Sequence, residues 1–175
     1  MLVNTLPTRI VTYPDPGLLK KCAPVKPDEF GESLTDLAQR MLEIMKANKG
    51  VGLAAPQVGV NRRLFVCNPT GEAGDDHIYV NPVLSDLTGS VEGEEGCLSL
   101  PEIRVLVRRA KRCRISAQDI HGEPVEAEAE DLLARIWQHE NDHLDGRLIL
   151  DRMNAAEKIA NKRLISQLEE GYRKT

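Results

Sequence analysis

The sequence predicts an α+β fold: antiparallel strands packed around a central helix, with an N-terminal and a C-terminal helix. Three observations support this. Apolar residues recur at helical spacing early in the chain and again near its end. Short alternating segments fill the middle, and a turn-rich stretch joins two of them. A length of 175 residues predicts one domain, 1–175, with a single substantial core.

Residues 12–31, rich in Pro, Gly and Asp, predict an irregular entry segment. A helix follows, because Leu34, Leu37, Ala38, Met41, Leu42 and Met45 share one face, with Ser33 and Asp36 spaced like start signals. It is expected to stop near Asn48-Lys49-Gly50, with Gly50 as its cap. The stretch GVGLAAPQVGVN is small and glycine-rich. Beyond it, Arg63–Cys67, His77–Asn81, Arg104–Val107 and Lys111–Gln118 read as strands, Asp119–Glu123 as a hairpin turn and Pro124–Glu130 as its return strand. Helical spacing resumes at Asp131 and runs through Leu132, Leu133, Ile136, His139, Glu140, His143 and Leu144. A last helix starts at Asn154, with Glu157 as a capping-box partner and Ala160, Leu164, Ile165 and Leu168 as its apolar stripe.

Bulk properties exclude several classes. A composition of 41% hydrophobic and 29% charged residues fits neither disorder nor a fibre. A formal charge of −4 and a pI near 5.6 argue against nucleic-acid binding driven by bulk positive charge. No run of apolar residues is long enough to cross a membrane. The start, broken by Pro7, Pro14 and Pro16, lacks a targeting pattern. Cys22, Cys67, Cys97 and Cys113 are irregularly spaced and read as thiols, so a reducing cytoplasm is the expected setting.

The chemistry-bearing stretch is His139-Glu140-Asn141-Asp142-His143. On a helix, residues four apart lie one turn apart on one face, so His139 and His143 can chelate one ion. Glu140, beside them, can take a proton from a metal-activated water. A catalytic site of this kind normally takes a third protein ligand. A histidine six residues beyond the second one would supply it in one protease pattern, but that position is Ile149. Glu157 is better explained as a cap, Cys67 and Cys113 as sheet packing, and Cys22 has no distinguishing feature. Cys97, in EGEEGCLSLPE, lies outside any clear apolar alternation on a loop or strand end. A thiolate there suits Fe2+ as well as Zn2+, and spacing alone favours Cys97 without deciding it.

Three motifs in order resemble one family, the peptide deformylases: Gly50-Val51-Gly52-Leu53-Ala54-Ala55-Pro56-Gln57, Glu95-Gly96-Cys97-Leu98-Ser99 and Gln138-His139-Glu140-Asn141-Asp142-His143. YPDPGL near the start is similar as well, and the resemblance covers roughly residues 8–170. It implies removal of the formyl group from the formylmethionine of newly made polypeptides. The implied cofactor is one divalent metal ion, often Fe2+ in the cell, with Zn2+, Ni2+ or Co2+ able to replace it. The implied ligands are Cys97, His139 and His143, the acid/base Glu140, and the oxyanion donors the Gln57 amide and the Leu98 N–H. An apolar pocket for methionine would include Val51, Leu132 and Ile136, although ordinary core positions explain these three equally well. Glu95 and Arg104 resemble an ion pair near the substrate, and Asp142 is a candidate to orient a backbone group or a histidine ligand.

The glycines suggest where the peptide lies. A backbone without Cβ permits close approach, so the substrate is expected as an added strand between Val51-Gly52 and Glu95-Gly96. Trp137, on the opposite helical side from His139, is expected to pack. Lys158, Lys162, Arg163, Arg173 and Lys174 suggest transient ribosome contact through the last helix, with Glu169 and Glu170 weighing against it. Two other readings remain: a small metallopeptidase, from the histidine turn alone, and a metal-stabilised binding module. Glu140 and Gln57 speak against the second, since a structural site needs neither.

Overall fold

Helix α1 (Glu32–Ala47) buries Leu34, Leu37, Ala38, Met41, Leu42, Ile44 and Met45 along one face. In the computed structural model, which describes residues 5–174, it starts from Gly31 rather than from Ser33. Gly31 adopts φ 142, a conformation that a side chain would strain. At the other end Lys49, not Gly50, takes the left-handed conformation, at φ 56. Gly50 instead leaves room for a neighbour: a Cβ there would meet Leu98 Cδ1 at 2.7 Å.

A five-stranded antiparallel sheet has the order β1-β2-β3-β6-β7, from β1 (Gly52–Ala54), β2 (Leu64–Cys67), β3 (His77–Thr88), β6 (Arg112–Gln118) and β7 (Pro124–Glu130). A separate hairpin pairs β4 (Val91–Cys97) with β5 (Leu100–Arg109). The turn between β6 and β7 forms as expected, with Asp119 Oδ1 accepting from the His121 and Glu123 N–H groups. Strands β1 and β4 escape the sequence reading. The first is only three residues long, and Val91–Cys97 carries glycines and glutamates without apolar alternation. Strands β3 and β5 run beyond the expected His77–Asn81 and Arg104–Val107. In β3, Asn81 at φ 52 and a register shift between Val80 and Val83 interrupt the period-two pattern that would have revealed the outer half.

Helix α2 (Asp131–Leu144) leaves β7 without an intervening loop. Its Ala134, Ile136, Trp137 and Leu144 pack with Phe65, Cys67, Tyr79 and Cys113 of the sheet. Trp137 is fully buried, edge-on to Tyr79 with ring centroids 5.4 Å apart. A second cluster joins α1 to β1 and β2. The third lies under the hairpin, where Leu100, Ile103, Val105 and Val107 meet Leu18, Leu148 and Ile149.

Helix α3 (Ala155–Arg173) begins at the expected capping box: Asn154 Oδ1 accepts from the Glu157 N–H at 2.9 Å, and Glu157 Oε2 accepts from the Asn154 N–H at 3.0 Å. Leu164, Ile165 and Leu168 lean on the third cluster, whereas Ala160 is exposed, so the apolar stripe is shorter than expected. No helix among the described residues is long and apolar enough to cross a membrane.

Candidate active site

Helix α2 and the end of β4 meet at one point. Cys97, at the last position of β4, is 8% exposed, and its Sγ lies 3.3 Å from His143 Nε2. His139 stands one turn earlier, its ring 5.0 Å from that of His143. One ligand atom from each of the three residues falls within 4.8 Å of the others. Bonds of about 2.0–2.3 Å to a tetrahedral ion put neighbouring ligand atoms roughly 3.4 Å apart, so the cluster fits a divalent cation of that size. The donor set, one thiolate and two imidazoles, suits Fe2+ and Zn2+ alike.

Glu140, adjacent to His139, is buried, and its Oε2 has no hydrogen-bond partner. Burial raises its carboxyl to about 7 in the metal-free protein. Gly52 explains how the carboxylate fits, because a Cβ there would meet Glu140 Oε1 and come within 2.9 Å of its Cδ. Burial also pushes His143 well below the usual imidazole range, which keeps it neutral and able to ligate.

Gln57, in the 3-10 turn Ala55–Val58, faces Cys97 across the site. Its Oε1 accepts from the Ala54 N–H at 2.8 Å, which turns its amide nitrogen toward Cys97 Sγ at 3.6 Å and Ser99 Oγ at 3.3 Å. A cavity of about 510 Å³ opens beside the cluster, lined by Gln57, Cys97, Leu98, His139 and Glu140.

The polypeptide deformylase family model matches residues 7–159. This chain belongs to that family. It is 42% identical over 162 residues to the peptide deformylase of Acidobacterium capsulatum, covering 91% of this chain and 94% of that one. It is 44% identical over 153 residues to the peptide deformylase of Thermotoga maritima, covering 86% and 90%. The crystal structure of peptide deformylase from Plasmodium falciparum superposes with a TM-score of 0.91 at 33% identity, covering 95% and 98%. The protein is accordingly a metal-dependent hydrolase that removes N-terminal formyl groups.

Other residues expected at the deformylase site are brought to the same cavity. Val51, Gly52, Glu95, Gly96, Arg104, Leu132 and Ile136 all line it. Val51 and Leu132 are 45% and 53% exposed and therefore not core, whereas Ile136 is buried. The expected Glu95–Arg104 ion pair does not form. Glu95 accepts from Arg109 Nε and Nη2, both at 2.9 Å, and from Arg135 Nη1 at 2.7 Å, and it contacts His139 Nδ1 at 3.0 Å. Residues 96 and 104 pair directly across the hairpin, and the Arg104 side chain lies over Gly96, with its Nη1 donating to the Ile103 carbonyl.

Asp142 does not orient a histidine either. It receives Arg109 and Arg152, both at 2.6 Å, and Glu95 supports His139 in its place. Burial alone would raise the Glu95 carboxyl; the hydrogen bonds from Arg109 and His139 outweigh it and hold the group well below the usual carboxylate range. Sequence reasoning missed Arg109, Arg135 and Ser99. Arg109 stands in a run of basic residues and Arg135 is a lone charge among apolar ones, and only strand register and helix packing bring both to Glu95.

Proposed function

We propose that this chain deformylates the N-terminal formylmethionine of nascent polypeptides in the cytoplasm, with Fe2+ held by Cys97, His139 and His143. The observation that carries the reading is the buried, unpartnered oxygen of Glu140 beside that ligand cluster, facing the Gln57 amide across one cavity. A divalent cation bound there would lower the pKa of its water to roughly 7 and polarise the formyl carbonyl.

Glu140 takes a proton from the attacking water and later hands it to the leaving amine, releasing formate. The Gln57 amide and the Leu98 N–H donate to the developing oxyanion, and Glu95 holds His139 through Nδ1. The peptide lies as an added strand between Val51-Gly52 and Glu95-Gly96, and its methionine side chain enters the end of the cavity formed by Val51, Leu132 and Ile136. Residues 1–175 act as one catalytic domain.

Anaerobic purification with metal analysis, paired with formate release from formyl-Met-Ala, tests this reading. Iron should be present, and activity should decay in air and return with Ni2+. Glu140→Ala should keep the metal and abolish formate release; a near-wild-type rate would remove the mechanism. Lys158, Lys162, Arg163, Arg173 and Lys174 are all exposed on or just past α3 and support transient ribosome contact. Cosedimentation with ribosomes that survives truncation at Asn154 would exclude that contact.

A further inference from the structure

The Gln57 amide is aimed by more than its own residue. A glutamine amide has two ends, and its terminal torsion is soft. Here the Ala54 N–H takes Oε1 at 2.8 Å in a buried setting, so the flipped orientation would set two donors against each other. The NH2 end then faces two acceptors. One is Ser99 Oγ at 3.3 Å, fully buried; the other is Cys97 Sγ at 3.6 Å. The Cys97 sulfur would share its charge with the metal ion, so a developing oxyanion, a harder acceptor, can displace it, while the hydroxyl keeps hold of the other N–H.

Gln57 and Ser99 belong to different parts of the fold, a 3-10 turn and the β4–β5 turn, yet one short stretch of backbone spans them. The Val11 N–H donates to the Gln57 carbonyl at 2.7 Å, and the Tyr13 N–H donates to the Ser99 carbonyl at 2.9 Å. The Tyr13 hydroxyl in turn donates to Glu169 Oε1 of α3 at 2.9 Å.

We propose that the Ser99 hydroxyl is a positioning residue for deformylation, holding the Gln57 amide at the oxyanion. The proposal rests on the reading of Gln57 as an oxyanion donor.

Formate-release kinetics and the two 1H–15N cross-peaks of the Gln57 side-chain amide test it together. Ser99→Ala should lower kcat about 3–10-fold, the usual worth of one such hydrogen bond, with KM within about twofold. Ser99→Thr, which keeps the hydroxyl, should restore most of the loss. In a Gln57→Ala background the same Ser99→Ala change should cost less than about twofold more. In the metal-free protein, Ser99→Ala should move both Gln57 amide resonances and Ser99→Thr should leave them near their wild-type positions.

Unmoved resonances, or an undiminished cost of Ser99→Ala without Gln57, would overturn the proposal while leaving the oxyanion reading intact. A Gln57→Ala enzyme with unchanged kcat would overturn both. Ser99→Cys, close in size and a poor acceptor, gives the same test should the alanine variant fail to fold.

Discussion

Glu140 connects burial to pH at a single carboxyl. With its carboxyl at about 7 in the metal-free fold against an ordinary 4.5, the folded state keeps a proton that the unfolded chain gives up. Metal-free stability from this group is therefore fully present below about pH 4.5 and lost as pH rises through about 7. Metal-free Glu140→Gln should lack that decline and be the more stable protein at about pH 8, while the two converge near pH 4.5 in urea titrations. Parallel pH profiles would refute the assignment. Arg109 offers the opposite case, a buried cation serving Glu95 and Asp142 together. Arg109→Met should destabilise by about 3–5 kcal/mol, because it strips buried carboxylates of a partner. It should also weaken metal affinity roughly 10–100-fold through the loosened His139, as read by competition with a chelator.

Helix α2 is held at both ends by backbone geometry rather than by side-chain caps. It starts directly from β7, with Asp131 at φ 52, and ends where Gly146 takes φ 72 against Leu19. A Cβ at Gly146 would meet the Leu19 carbonyl oxygen at 2.8 Å, a backbone atom that cannot swing aside. Gly146→Ala should therefore cost on the order of 1–3 kcal/mol, measured by thermal unfolding, with the metal ligands themselves untouched. The element-scale errors share a cause. Strand β4 forms because β5 pairs with it and the third cluster anchors β5, and neither partner leaves a periodic mark on Val91–Cys97.

Across the whole molecule, the site depends on three parts of the chain that only packing brings together: the Gly50–Gln57 segment, the hairpin and α2. The metal should tie them. A cation at a hundred times its Kd contributes about 2.7 kcal/mol. For a chain of this size each kcal/mol moves Tm by about 2–4 °C, so chelation should lower Tm by roughly 5–10 °C while abolishing formate release. An unchanged Tm would contradict binding by Cys97, His139 and His143. The three hydrophobic clusters predict that the chelated protein stays folded below that lower transition, as far-UV circular dichroism would report.

The helices, the β6–β7 hairpin, the α3 capping box and the two histidines one turn apart were legible in the sequence, because each is set by spacing within a few residues. Its motifs also sufficed to name the family. It left the third ligand open on spacing alone, and it misassigned the partner of Glu95. Only tertiary structure carried Cys97 to within 3.3 Å of His143, gave Glu95 to Arg109, Arg135 and His139, and set the Gln57 amide between Ala54 and Ser99. Those contacts join residues far apart along the chain, and their geometry comes from strand register and from α2 packing against the sheet, which no local pattern encodes.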